Sequence, residues 1–426
     1  MNDHGARQAD TARTADAVRA FYERHPYPPP LDDLDRYRAR WADPLRRRAD
    51  FHLFWPREIY RENVSILIAG CGTSQAAKYA LRWPRAQVTG IDVSSTSIEK
   101  TEKLKRKYRL DNLTLLRLPV ERAAELDRSF KHVVCTGVLH HLRDPDAGLR
   151  ALRQVLDPQG AMHLMVYAPY GRTGIYMLQE YCRTLGIGTS PAEIRDLAAS
   201  LEALPQHHPI VPLLRNSPDF QTEAGLADAL LHPQDRSYSV PELLDFLARN
   251  GLQFARWLRQ APYLPHCGAL VKSPHHPLLA RLPVQEQNSA LELFRGTMVR
   301  HTATVCRDDY PGEPQPISFD GHEWVKYVPI RLPDTICVEE RLPPAAAGVL
   351  INRAHTDTDL YLPIDATEKS LFETIDGRRA IDTIATTEEQ RRHAQVLFER
   401  LWWYDQVVFD ASPRTGQQRA DEESVR

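Results

Sequence analysis

The sequence predicts an α/β fold in which a doubly wound, mostly parallel sheet carries a helical cap and is followed by a C-terminal α+β region. Three observations predict it. The run from Val64 to Asp92 alternates strand, glycine turn, helix and strand, and apolar strands continue to alternate with helices as far as Tyr167. A helical stretch of about 70 residues then interrupts the alternation, which is more than a turn requires.

The glycine turn is the first element with a chemical meaning. The apolar run from Val64 to Ala69 is typical of a strand that is buried on both faces. Gly70 and Gly72 then let the backbone approach a ligand without a Cβ in the way. The next strand ends at Asp92, about 20 residues on, where a doubly wound sheet presents an acceptor to a ribose. The segment therefore predicts a nucleoside-binding unit.

The turn also discriminates among nucleosides. A dinucleotide fingerprint requires a third glycine where this chain has Gln75, which disfavours NAD and FAD. A nicotinamide enzyme therefore remains a weaker alternative, and no phosphate-binding loop of the G-x-x-x-x-G-K-[ST] type follows the strand.

Further strands and helices follow in order. We predict a helix over 75–81, a third strand over 113–116, a fourth strand from Phe130 into the loop after Thr136, a helix opened by Asp144 and Pro145, and a fifth strand over 161–167.

Taken together, the segments ILIAGCGTS, GIDVSSTSIE, SFKHVVCTGVLHHLRDP and LRQVLDPQGAMHLMVY resemble the class I S-adenosylmethionine-dependent methyltransferase family in order and spacing. The resemblance covers residues 60–168, and 239–257 and 267–271 resemble the last helix and the two closing strands of a seven-stranded sheet. The chain departs from the family pattern at Ile68, Ser74 and Pro119, where an acid, a glycine and an adenine-facing Asp are common.

This resemblance implies S-adenosyl-L-methionine as the cofactor and assigns its contacts. The turn would lie beside the methionine part, Asp92 would accept from the ribose, and Val93 and Glu121 would lie near the adenine. The implied cofactor-binding residues are Ala69, Gly70, Cys71, Gly72, Asp92, Val93, Glu121, Thr136, Gly137 and Val138. The alternatives are a structural turn for the glycines and a helix N-cap for Asp92.

Candidate catalytic residues are His140, His141 and Tyr167. Methyl transfer is an in-line displacement in a dry site, so a dedicated base is not obligatory. A histidine there can accept a proton from the methyl acceptor, with packing or loop hydrogen bonding as the alternative. Tyr167, with Tyr22 and Tyr170, can wall the acceptor pocket, or belong to the core.

Composition narrows the function classes. A net charge of −2 gives no electrostatic case for nucleic acid or a membrane, and no apolar run approaches the ~18 residues of a spanning helix. The six cysteines include no C-x-x-C pair, so we expect neither a metal site nor a disulfide framework. The polar N-terminus does not resemble a signal peptide, and we expect a cytoplasmic protein.

The chain divides into five predicted regions. These are a helical and proline-rich cap segment (1–50), the methyltransferase core (51–272) with its helical insertion (169–237), a linker and β-rich region (273–358), a winged-helix-like module (359–410) and a disordered tail (411–426). Within the cap segment, residues 21–28 resemble a segment that lies over the cofactor pocket of such enzymes. Residues 288–306 are predicted to form a helix within the third region, the linker and β-rich region.

The predicted function is methyl transfer to a small-molecule or peptide acceptor. The C-terminal module resembles peptide-binding winged helices of modified-peptide biosynthesis, so it can recruit a peptide or protein partner. DNA binding is disfavoured because residues 365–410 hold six Lys/Arg against ten Asp/Glu. The alternative is a non-catalytic S-adenosylmethionine-binding scaffold or sensor that recruits its partner through this module.

Overall fold

The computed structural model describes residues 16–314 and 317–413. Residues 1–15 lie outside the described residues, as do residues 414–426 of the predicted disordered tail (411–426). The described chain divides into two compact units. Unit 1 comprises 16–40, 62–254 and 292–311, and unit 2 comprises 41–61, 255–291 and the rest from 312 onward.

The helices and strands follow one another along the chain in a mixed order. The strands are β1 (Ser65–Ala69), β2 (Gln87–Asp92), β3 (Leu113–Arg117), β4 (Phe130–Thr136), β5 (Leu156–Tyr167), β6 (Leu252–Trp257), β7 (Arg300–Arg307), β8 (Val328–Arg331), β9 (Thr335–Val338), β10 (Gly348–Asn352), β11 (Tyr361–Ile364) and β12 (Val407–Asp410). The helices are α1 (16–24), α2 (Asp35–Trp41), α3 (Pro44–His52), α4 (Gln75–Arg82), α5 (Ser95–Tyr108), α6 (Pro145–Val155), α7 (Thr173–Leu185), α8 (Pro191–Leu201), α9 (Val211–Asn216), α10 (Glu223–Leu230), α11 (Val240–Ala248), α12 (His276–Leu279), α13 (Val284–Arg295), α14 (Ala366–Glu373), α15 (Ile381–Ile384) and α16 (Glu388–Trp403).

A seven-stranded sheet is the centre of the fold, in the order β3-β2-β1-β4-β5-β7-β6. The strands from β3 to β5 are parallel, whereas β7 runs antiparallel to β5. This confirms the predicted doubly wound, mostly parallel sheet. Its strand order reverses beside β1, and ligands of open α/β sheets bind at such a switch point.

The predicted helical cap is present between β5 and α11. It consists of α7, α8, α9 and α10, of which the short α9 is not predicted from the sequence. The cap has its own apolar cluster, to which Phe21 of α1 also belongs. The first described helix therefore packs with the cap.

The sequence-based prediction for the last strands of the seven-stranded sheet is wrong in part. Residues 267–271 do not form a strand, because Ala269–Lys272 is a 3₁₀ helix. The antiparallel strand is β7, which overlaps the predicted helix over 288–306. Helix α13 ends before Gly296, which has a φ of 61°, a conformation that favours glycine. Thr302, Thr304 and Val305 then favour a strand, since β-branched residues fit a pleated surface.

Unit 2 contains two small antiparallel sheets. One pairs β12 with β8, and the other has the order β11-β10-β9. Within 359–410, which the sequence predicts to be a separate module, the last two elements are α16 and β12. Within the predicted β-rich region, Glu323–Lys326 is a 3₁₀ helix and Val328 begins β8. The winged-helix assignment remains a prediction.

Hydropathy of the helices bears on membrane insertion. Over residues 16–314 and 317–413, no helix combines the length and the apolar character that crossing a bilayer needs.

Candidate cofactor and acceptor site

A cavity of about 910 Å³ opens in unit 1 at the carboxyl ends of the central parallel strands. Of the residues predicted from the sequence, those that line it are Gly70, Cys71, Gly72, Asp92, Val93, Glu121, Thr136, Gly137, Val138, His141 and Tyr167. Ala69 and His140 do not line it, and both are fully buried. Chain segments far apart in the sequence therefore converge on one space.

The glycine turn after β1 has no room for side chains. The N–H groups of Gly70 and Cys71 both donate to the Ile91 carbonyl at 2.9 Å, which ties the turn to β2. Gly70 has a φ of 69°, and a Cβ on it would lie 2.3 Å from Cγ2 of Val138. A bare main chain at this position therefore forms the floor of the cavity.

Asp92 connects the turn to the next helix. One carboxylate oxygen accepts from the Gly72 N–H at 2.8 Å and the other from the Ser94 N–H at 2.9 Å. Burial raises the pKa of Asp92, and these N–H groups oppose that rise. The N-cap of α5 is Ser94, so the N-cap alternative for Asp92 does not hold. Each oxygen retains a lone pair that can accept from a ligand hydroxyl.

Cys71 is enclosed by the turn. Its side chain is fully buried, and burial followed by the nearby Asp92 charge raises its thiol pKa well above the usual value. A nucleophilic cysteine requires the opposite environment. Cys71 therefore acts as a small packing residue.

A segment of the N-terminal region lies across the turn. The Glu23 carboxylate accepts from the Ser95 and Thr96 N–H groups at 2.7 and 3.0 Å, at the first turn of α5. Burial acts to raise the pKa of Glu23, but hydrogen bonds from the Thr96 and Ser95 hydroxyls, and then from these N–H groups, outweigh it and hold the pKa at about 2. Thr73 donates through its hydroxyl to the Pro28 carbonyl at 2.7 Å. These bonds anchor the strap, residues 22–28, over the cavity.

A polar chamber continues from the turn toward the cap. Tyr22 donates through its hydroxyl to Asp228 at 3.0 Å, and both side chains line the cavity. Burial raises the pKa of the Asp228 carboxyl. Asp228 lies on α10 in the cap, where no motif in the sequence singles it out. Sequence reasoning missed it, because its role depends on the cap folding back over the sheet.

His141 has a defined proton position. Its Nδ1 lies 2.8 Å from the Gln234 carbonyl oxygen, which can only accept, so Nδ1 carries the proton and donates it. The lone pair is therefore on Nε2. An imidazole held in this way can accept a proton from a ligand.

His140 differs from its neighbour. Its ring packs 3.9 Å from the Tyr167 ring, centroid to centroid, and neither ring nitrogen hydrogen-bonds to any residue within the described ranges. Burial lowers the pKa of His140 far below its usual value. This geometry favours the packing alternative for His140.

Tyr167 forms part of the chamber wall with a charged neighbour. The Arg172 guanidinium lies 3.5 Å from the centroid of the Tyr167 ring and pairs with Asp235 at 3.1 Å. Burial raises the pKa of Tyr167, so the phenol keeps its proton and cannot serve as a base at neutral pH. Its aromatic face and hydroxyl remain available to position a ligand.

One cluster in the chamber has metal-ligand residue types. Ligand atoms of His141, Asp228 and His232 lie within 4.8 Å of one another, and all three residues are buried. The Gln234 N–H donates to Nδ1 of His232 at 3.0 Å, so the proton of His232 is on Nε2. With Nδ1 of His232 engaged and Nε2 protonated, only His141 offers a free imidazole lone pair. Among the described residues no hydrogen bond joins the three side chains to one another, so we interpret them as polar groups held by neighbours: Tyr22 donates to Asp228, and the Gln234 backbone orients both histidines.

The Tyr22–Asp228 contact predicts a stability effect. Tyr22→Phe removes a donor from a buried carboxylate, and we expect it to lower the free energy of unfolding by about 1–3 kcal/mol. Tyr27→Phe is the matched control, because Tyr27 donates to the exposed Asp219, whose carboxylate water can solvate instead. Urea denaturation of both variants measures the difference, and equal losses would contradict it.

Comparison with known proteins gives a domain assignment. Residues 67–162 match a family model described as a methyltransferase domain. Residues 67–162 are thus similar to a methyltransferase domain, and the cofactor that the sequence predicts for such a domain is S-adenosyl-L-methionine.

Relatives agree with this match. An uncharacterized protein of Synechococcus sp. is 32% identical over 249 residues, covering 56% of this chain and 58% of that protein. The ubiquinone biosynthesis O-methyltransferase of Bordetella avium is 30% identical over 142 residues, covering 30% of this chain and 57% of that enzyme. The chain spans about half the length of the curated relatives it matches.

A solved structure is similar over most of the chain. PKMT2 from Rickettsia typhi in complex with AdoHcy has a TM-score of 0.61 at 16% identity, covering 87% of this chain and 75% of that one. At this identity the likeness shows the shared fold.

Proposed function

We propose that this protein is an S-adenosylmethionine-dependent methyltransferase that acts on a small-molecule or peptide acceptor. The observation that carries the proposal is the single cavity that joins the glycine turn and Asp92 to the chamber of Tyr22, His141 and Tyr167. A cofactor on the turn and an acceptor in the chamber would lie next to each other there.

The residues present fit this cofactor. The turn at Gly70 leaves a cradle that a Cβ would fill, and Asp92 offers buried carboxylate lone pairs to ribose hydroxyls. Val93, Glu121 and Pro119 line the end of the cavity where the adenine is expected. When bound, the cofactor supplies an electrophilic methyl group on a positively charged sulfur.

The chain's own contribution is positioning and proton acceptance. Tyr22 and Tyr167 form aromatic walls that exclude water and orient the acceptor. Nε2 of His141 accepts the proton that a hydroxyl or protonated amine must lose. Asp228 supplies a negative charge near the imidazolium that results.

Turnover distinguishes an enzyme from a scaffold. The full chain is first titrated with S-adenosylhomocysteine by calorimetry, and then incubated with cell extract and isotopically labelled S-adenosylmethionine. We expect S-adenosylhomocysteine to bind. We also expect a labelled product that is heavier than the unmodified acceptor by the exchange of one hydrogen for one methyl group. Binding without any labelled product would favour the scaffold alternative, and no binding would refute both.

The role of His141 makes a separate prediction. His141→Gln keeps a side chain of similar reach but removes the basic nitrogen, so we expect the methylation rate to fall by about 10²–10⁴. S-adenosylhomocysteine affinity is expected to stay within about threefold of wild type, since the change removes no charge in the cofactor cradle. His207→Gln, at an exposed position of the cap, is the control. If His141→Gln methylated its acceptor at the wild-type rate, His141 would not be the proton acceptor and would have only a packing role.

We also propose that the C-terminal module, residues 359–410, recruits a peptide or protein partner, as its winged-helix resemblance implies. Its surplus of acidic residues over 365–410 suits a basic segment better than nucleic acid.

A further inference from the structure

One side of the cavity, here called the arm, is lined by residues of α4, β5 and β7, and of these residues the proposed reaction uses only Tyr167. Helix α4 lines this arm with Gln75, Lys78, Tyr79 and Arg82, at helix spacings that place them on one face. The cavity's volume of about 910 Å³ is near the upper end of the roughly 300–1,000 Å³ typical of ligand pockets.

The floor of this arm follows from strand alternation. His163, Met165 and Tyr167 are alternate residues of β5, so their side chains share one face of the sheet, and all three line the cavity. Arg300 on β7 is directly opposite Tyr167 in the antiparallel pairing and also lines the cavity. Gln75 of α4 donates to Thr136 at 2.8 Å, which places α4 over this same face.

The charges of the arm are positive and incompletely compensated. The side chains of Lys78 and Arg300 form no hydrogen bond or ion pair with any residue in 16–314 or 317–413. Arg82 is oriented, because it donates to the Tyr37 hydroxyl at 2.9 Å and stacks 4.3 Å from the Tyr79 ring centroid. The half-buried position of Lys78 lowers its pKa, and repulsion by the Arg82 charge lowers it further.

The acidic residues of the cavity lie elsewhere. Its carboxylates among the described residues are Asp92, Glu121, Asp144, Asp219 and Asp228, and none of them is on α4, β5 or β7. Outside the arm, these carboxylates line the cavity together with Arg122, Arg143 and Arg172, whereas the charged residues that line it from α4, β5 and β7 are all cations. A ligand that spans it needs a negative group at the basic end.

We propose that Lys78, Arg82 and Arg300 bind an oxyanion of the methyl acceptor, either a carboxylate or a phosphate group. The inference rests on the proposed function and adds a substrate class, an acidic acceptor. Arg82 provides a planar donor set held by Tyr37, and Lys78 and Arg300 provide charges that no other described residue neutralises.

Anion binding to the full chain tests this proposal. Wild-type protein is saturated with S-adenosylhomocysteine and titrated by calorimetry with pyrophosphate, and separately with citrate, at low ionic strength. We expect at least one probe to bind, and Lys78→Met and Arg300→Met each to weaken it about tenfold, as the loss of a charge-assisted hydrogen bond predicts. Lys103→Met, at an exposed position of α5, is the control and should bind normally.

Each result has a defined meaning. Loss of affinity in both arm variants but not in Lys103→Met supports the site, and the better probe distinguishes a phosphate from a carboxylate acceptor. No binding of either probe, or equal binding by all variants, overturns the inference. Probe binding that S-adenosylhomocysteine abolishes also overturns it, because the cations would then serve the cofactor's carboxylate. If S-adenosylhomocysteine itself does not bind, it is the proposed function that fails.

Discussion

Gly70→Ala is expected to weaken S-adenosylhomocysteine binding by at least ~100-fold. The left-handed conformation at Gly70 costs an L-residue roughly 1–2 kcal/mol, and the added Cβ would also lie 2.3 Å from Val138. Relief of that overlap moves either the turn or the loop after β4, and both are expected to contact the cofactor. Calorimetric titration at a temperature where circular dichroism shows the variant folded measures the effect.

Gly186→Ala separates backbone strain from the loss of the cradle. Gly186 has a φ of 65°, close to that of Gly70, but a Cβ there meets nothing within 4 Å. We expect this variant to lose about 1 kcal/mol of stability and to bind S-adenosylhomocysteine normally. If both alanine variants bound equally well, the turn would not be the cofactor cradle.

Asp92→Asn has the second largest expected effect. Both carboxylate oxygens of Asp92 accept from backbone N–H groups, so an asparagine must direct its NH₂ at one of these donors. The ribose would also lose an acceptor. We expect S-adenosylhomocysteine affinity to fall by about 100-fold, with a loss of stability of about 1–3 kcal/mol from the unpaired group.

Asp144→Asn is the matched control for this substitution. Asp144 also lines the cavity, but its carboxylate caps α6 by accepting from the Ala147 N–H at 2.8 Å. Asparagine caps helices about as well as aspartate, so stability and affinity should change little. Unchanged affinity in Asp92→Asn, measured in parallel, would remove Asp92 from the cofactor site.

The cofactor side of the site was predictable because it is local. Gly70, Gly72 and Asp92 lie within one strand–turn–helix–strand unit, and the hydrogen bond from Gly72 to Asp92 joins residues 20 positions apart. In such a unit the spacing of the motif already implies its geometry. The loop at Thr136 could be placed by the same reasoning, because it follows the next parallel strand.

The acceptor side was not predictable in the same way. Asp228 approaches Tyr22 across 206 positions of the chain, and no short-range pattern specifies such a contact. Arg300 enters the cavity only because β7 pairs with β5, in a segment that the apolar pattern had suggested was helical. His140 and His141 are adjacent in sequence, yet only His141 lines the cavity.

By itself, the amino-acid sequence determined the parallel strands of the sheet, the glycine turn and the acid that ends the second strand. Local hydrophobic alternation and glycine chemistry suffice for these features, since they act over a few residues. Only the tertiary structure decided which side chains meet opposite the turn: the Tyr22–Asp228 pair, the proton position on His141 and the basic arm along α4. These features depend on packing between segments that are far apart in the sequence. Such contacts are set by proximity in the folded chain and produce no periodic pattern of residues from which they could be predicted.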